Sequence, residues 1–215
     1  MEKGIFVKVD FTGRIAATGE IFDLTSAEEA KKEGVYKEGH PYKQALVVIG
    51  SHMVLPALER QVETMVVGEE RTFTVPPEQG FGVRKPELIR VVSLQKFYEK
   101  NINPVPGLFV DVDGLEAKVQ SVSGGRVRLD LNHPLAGKEL RYYVHVRSII
   151  EKTDEKLSAL LDYLMITATT VCAEGVATVT TKKELDKRLQ ELVRTTVKEW
   201  IPGVNDVVFA VASPI

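Results

Sequence analysis

Alternation is the first strong pattern along the chain. In IFVKVDF, Ile5, Val7, Val9 and Phe11 fall on one side and Phe6, Lys8 and Asp10 on the other, which predicts a β-strand with one face toward a core. Thr12-Gly13 and Thr18-Gly19 then mark turns, and GEIFD leads into the polar stretch SAEEAKKE, where Ser26 and Glu29 have capping-box spacing and predict a short surface helix. After the apolar run ALVVIG, the period changes. In MVLPALERQVETM, Leu58, Val62 and Met65 recur on one helical face, Pro56 suits the first turn, and Gly68 follows the end. ERTFTV predicts another strand, closed by Pro76-Pro77 and EQGFG.

From Val83 to about Arg141 the runs LIRVVSL, PVPGLFVDVDG, LEAKVQSV and RVRLDL are short, alternating and separated by Gly and Pro, which predicts a small β-rich unit. Its exit is NHPLAGKEL, in which Pro134 fixes its own φ and restricts His133. Beyond Thr153, TDEKLSALLDYL carries Leu157, Leu160, Leu161 and Leu164 on one helical face, and MITATTVC and GVATVTT read as strands. A helix KKELDKRLQELVRTTVKEW is expected behind a Thr181–Glu184 capping box, with VVFAVA as a closing strand. This last segment reads as a small α+β domain of its own.

Composition narrows the classes. With 44% hydrophobic and 27% charged residues and a net charge of -2, the chain has no general basic surface, so nucleic acid is not an expected partner. The opening MEKGIFVKVDF lacks a long apolar core and no later run approaches membrane-spanning length, so no membrane association and a cytoplasmic location are expected. The single cysteine, Cys172, lies in an apolar run and reads as a small buried side chain. The four histidines are scattered along the chain, so no metal is expected.

The order of motifs, an N-terminal strand, GEIFD, IGSHMVLPALE, a helix ending in GEE, then PPEQGFG and NHPLAGKEL, resembles the SlyD-like branch of the FKBP-type peptidyl-prolyl isomerases. The resemblance covers about residues 4–152, and the C-terminal segment looks like that of the long archaeal members. It implies an α+β fold: an antiparallel half-barrel sheet around one helix (residues 1–83 and 135–152), an inserted β-rich flap domain (84–134) and a C-terminal α+β domain (153–215).

The implied activity needs no cofactor. Rotation about an X–Pro bond faces a barrier of about 20 kcal/mol from amide resonance. A dry apolar pocket that accepts the twisted amide lowers that barrier, and removing roughly 4–6 kcal/mol corresponds to a thousandfold or more in rate. By similarity, the catalytic positions are Asp23, Phe81 and Tyr142, with Phe11, Phe22, Val54, Leu55 and Leu58 binding substrate. Leu55 matches the position whose backbone N–H receives a carbonyl of the bound peptide. Without the resemblance, Asp23 also suits an Asx-turn before the helix, and the aromatics also suit a plain core.

Phe81 stands where many members have Tyr, Leu58 where the best-known eukaryotic members have Trp, and Ala57 where Gly is common. Those departures keep a rival in view, a non-catalytic holdase that retains the fold. In this family the insert binds unfolded chains, so the expected partners are unfolded or partly folded polypeptides containing proline. The three strand-like runs of the C-terminal segment motivate a homodimer formed through it.

Overall fold

The structure is a computed structural model that describes residues 1–112 and 114–212. The chain runs through β1 (Phe6–Ile15), β2 (Ile21–Leu24), α1 (Ala27–Lys32), β3 (Ala45–Val48), α2 (Pro56–Glu63), β4 (Glu70–Val75), β5 (Ile89–Ser93), α3 (Leu94–Glu99) and β6 (Phe109–Val112). It continues through β7 (Leu115–Ser123), β8 (Arg126–Asp130), β9 (Leu140–Ile150), α4 (Thr153–Tyr163), β10 (Ala168–Ala173), β11 (Val176–Thr181), α5 (Lys187–Trp200) and β12 (Asp206–Val211). Two compact units result, residues 1–74 with 141–215, and residues 75–140. The class is α+β with antiparallel sheets, as expected, the parallel β11–β12 pair apart.

In the first unit the sheet order is β2-β1-β9-β4, and β3 also pairs with β1. The alternation of β1 is realised with both faces in use: Val7 and Val9 are fully buried, and so is Phe6 on the opposite side. Phe6 is covered because it joins Leu46, Val48 and Ile150 in one apolar cluster with Leu157 and Leu160 of α4. The C-terminal segment and the N-terminal strands therefore share a core. Within that segment β10 and β11 form a hairpin, and β12 lies parallel to β11 after the crossover helix α5, the connection that a parallel pair requires.

Two helix starts show how local chemistry is chosen. Ser26 caps α1 as its spacing predicts, its side chain accepting from the Glu29 N–H. The expected Thr181–Glu184 box does not form. Thr181 is the buried last residue of β11; its hydroxyl donates to the Lys183 carbonyl, and its own carbonyl accepts from the Ala212 N–H. Asp186 caps α5 instead, its Oδ1 accepting from the N–H groups of Arg188 and Leu189. Sheet pairing had already claimed the threonine.

The second unit is an antiparallel sheet of order β5-β8-β7-β6 with a bulge between Val119 and Ser121. Its core gathers Phe97 of α3 with Val110, Ala117, Val119, Val127 and Leu129. At its base the Asn132 amide clamps the backbone of Lys85, accepting from its N–H at 2.8 Å and donating to its carbonyl at 3.0 Å. Gly137 N–H donates to the Gly82 carbonyl at 2.8 Å. A side-chain amide that satisfies both groups of one residue holds the two neighbouring segments in register.

Candidate functional site

In the first unit three aromatic rings surround Tyr142 of β9. Phe11 of β1 lies 6.0 Å from it, Phe22 of β2 lies 5.7 Å away edge-on, and Phe73 of β4 lies 5.8 Å away and nearly parallel. Rings at these separations are within the range of favourable aromatic pairing. The strand order puts these residues together, because β2, β1, β9 and β4 are successive neighbours. Gly13 makes room for Phe22: a Cβ built there would lie 2.5 Å from the ring. The β1–β2 ladder slips beside it, between Gly13 and Arg14.

Tyr142 is buried, and desolvation pushes its pKa up to about 12, with the charge of Asp23 adding to the effect. Its hydroxyl thus stays protonated at physiological pH. Asp23, on β2, has its pKa raised by burial of the carboxyl, while the Leu24 N–H and His40 pull it the other way. The residue as a whole is exposed, and it lines a hollow that Phe11 and Val54 also line. Asp23 does not cap α1; Ser26 does.

Val54 and Leu55 are half-buried in the loop before α2, and Leu58 is buried on α2. Leu55 is the N-cap of α2 but has no capping side chain. Its carbonyl accepts from the Glu59 N–H, and among the described residues its own N–H has no hydrogen-bond partner. The loop is held by Glu59, a buried carboxylate whose two oxygens accept from the N–H groups of Gly50 at 2.7 Å and His52 at 2.8 Å. His52 takes a left-handed φ of 56° there.

Phe81 belongs to the second unit, where its ring stacks on His133 at 4.4 Å with the planes 2° apart. The Nδ1 of His133 accepts from the Leu135 N–H at 3.1 Å, which fixes the imidazole against the turn at Pro134. Phe73, Glu59 and His133 were not singled out as site residues from the sequence. The alternation of ERTFTV carries Phe73, but nothing local distinguishes Glu59 from Glu63, the other acidic residue of its helix.

A hollow of about 520 Å³ shares Phe11, Asp23 and Val54 with the cup. Another, about 650 Å³, is lined by Arg14, Glu29, Lys32, Arg141 and Arg147. Much of its charge is internally matched, Arg14 with Glu33 at 3.0 Å and Arg147 with Asp10 at 2.5 Å, so it is a charged hollow, unlike the aromatic cluster around Tyr142. Among the described residues no group of three His, Cys, Asp or Glu side chains is placed to hold a metal ion, and no helix is long and apolar enough to cross a membrane.

Comparison with known proteins adds an independent line. Residues 1–93 match the model of the FKBP-type peptidyl-prolyl cis-trans isomerase family, and residues 90–135 match that of the FKBP26 IF domain. A short-type peptidyl-prolyl cis-trans isomerase of Methanocaldococcus jannaschii is 34% identical over 149 residues, 69% of this chain and 94% of the relative. The isomerase SlyD of Treponema pallidum is 33% identical over 159 residues, 72% of this chain and 81% of the relative. A 16 kDa FKBP-type isomerase of Escherichia coli is 29% identical over 136 residues, 61% and 86% of the respective chains.

Proposed function

The chain belongs to the FKBP-type peptidyl-prolyl cis-trans isomerases of SlyD type, and from that premise we propose that it couples proline isomerisation to the holding of unfolded clients, with a catalytic cup built from Phe11, Phe22, Asp23, Val54, Leu55, Leu58 and Tyr142 and with Phe81 as a further catalytic position by family similarity. The observation that carries the assignment is the aromatic cluster around Tyr142, together with the unused N–H of Leu55 in the loop before α2. Resonance makes the planar amide more polar than the twisted one, so a dry cup favours the transition state over the ground state. The Leu55 N–H fixes a substrate carbonyl, and the ring surfaces receive the pyrrolidine. Asp23 orients hydroxyls at the rim and moves no proton. Phe73 belongs to the same wall.

We assign client holding to residues 84–134. The two opposite edge strands of that sheet, β5 and β6, expose Val91 and Phe109 respectively, and Leu115 of β7 is exposed next to β6. An extended client can add to such an edge while its side chains meet these apolar residues. Tethering a client near an isomerase site raises the effective concentration of its prolines, so proteins are processed better than short peptides. Two further parts of this reading are a cytoplasmic site of action and a homodimer. The dimer is motivated by the exposed valines Val171 and Val208, which flank Thr178 in register across the C-terminal sheet. Val171→Asp leaves a monomer in sedimentation if the dimer forms there; an unchanged mass removes that surface.

The decisive experiment is refolding of a protein limited by proline isomerisation, with aggregation followed in parallel. Phe81→Ala slows the catalysed phase and leaves aggregation suppression in place; Val91→Lys with Phe109→Lys does the reverse. If one set of substitutions removed both activities from folded protein, the division of labour would fail.

A further inference from the structure

The end of α4 contributes a wall to the hollow of about 520 Å³ that opens from the aromatic cup. Asp162, Tyr163 and Met165 line it together with Phe11, Asp23 and Val54. Both attachments are direct. The Tyr163 hydroxyl donates to the Met53 carbonyl at 3.2 Å, in the loop that carries Val54 and Leu55, and Lys43 Nζ donates to the Asp162 carbonyl at 3.4 Å.

Met165 is the unusual residue. The helix ends with the Ile166 N–H donating to the Leu161 carbonyl at 2.8 Å, while Met165 takes a φ of 60°. This is the left-handed C-terminal turn in which glycine is the common choice, because a Cβ is disfavoured there. Ile166 and Leu161 are buried and anchor the turn, yet Met165 is 80% exposed. Backbone strain has been accepted at a position where the side chain gains no burial, and the residue lines the hollow.

We propose that Tyr163 and Met165 form a subsite for the substrate polypeptide, taking apolar side chains that flank the isomerised proline. The proposal rests on the isomerase reading of the cup. Continuity favours this occupant: a peptide seated on Phe11, Asp23 and Val54 extends into a space of the size that binding pockets commonly have. An unbranched, polarizable methionine suits a surface that meets many different side chains. The C-terminal segment would thereby tune substrate choice at a site formed mainly by residues far from it in sequence.

The test compares two proline peptides on the full chain by exchange NMR, a tetrapeptide and a decapeptide with Leu on both sides of the proline. Met165→Asn is the variant, since Asn tolerates the left-handed turn and the fold survives. The expected result is a loss in KM for the decapeptide that exceeds the loss for the tetrapeptide by roughly tenfold, the scale of one lost apolar contact. In the wild type, the Met165 methyl resonance shifts with the decapeptide and stays in place with the tetrapeptide. Equal losses for both peptides, or an unmoved methyl at saturating decapeptide, overturn the subsite. If the wild type catalyses neither peptide, the isomerase reading fails, and the methyl shift still decides the subsite.

Discussion

Glu59→Gln is the most informative single change. The residue is 6% exposed, and its two carboxylate oxygens each accept one backbone N–H, from Gly50 and from His52. Glutamine keeps the shape but replaces one acceptor oxygen with an NH₂ group, which then faces an N–H. One charge-assisted hydrogen bond is lost, two buried donors oppose each other, and the other bond is weakened; a hydrogen bond to a charged group contributes about 1.5–3 kcal/mol. Destabilisation of about 2–4 kcal/mol follows, which for a chain of this size lowers the melting temperature by roughly 4–16 °C. The effect reaches the cup because the clamped loop leads directly into Val54 and Leu55. Thermal unfolding gives the stability change, hydrogen exchange at Gly50 and His52 localises it, and kcat/KM on a tetrapeptide reports the loosened loop. A melting temperature unchanged to within about one degree would refute the claim that this carboxylate holds the loop.

Three further outcomes follow from the same structure. Asp23 has a raised pKa, so its proton is bound more tightly in the folded state; its contribution is fully favourable below the ordinary value of 3.8 and is lost as pH rises through the folded pKa. Asp23→Asn is therefore at least as stable as wild type at neutral pH, with the advantage vanishing in acid-dependent denaturant titrations, while isomerase activity drops severalfold. Gly13→Ala drives a Cβ into the Phe22 ring and costs about 1–3 kcal/mol as overpacking, and near-UV circular dichroism records the displaced ring. Asn132→Ala removes the clamp on Lys85 and destabilises the second unit by about 1–2 kcal/mol, seen as faster amide exchange at Lys85; protection equal to wild type would show that the clamp is dispensable.

Part of the candidate site is legible in the sequence. Motif order pointed to Phe11, Phe22, Asp23, Leu55 and Tyr142, and the strand order joins Phe11 and Phe22 to Tyr142. Phe73 was overlooked because one aromatic in an alternating strand carries no mark of which neighbour it will meet. Glu59 was overlooked because a buried acid in a helix looks, in sequence, like an exposed one.

By itself the sequence determined what depends on near neighbours along the chain: the alternation of β1, the period of α2 with Pro56 in its first turn, and the Ser26 cap. Those are settled by backbone sterics and hydrogen bonds spanning a few residues. Tertiary structure alone decided that Thr181 would end a strand instead of capping a helix, that Phe6 would share a core with Leu157 and Leu160, and that Tyr163 would reach Met53. Such choices rest on burial and on competition for hydrogen-bond partners between segments distant in the chain, and these terms acquire a value only when the fold brings the segments together.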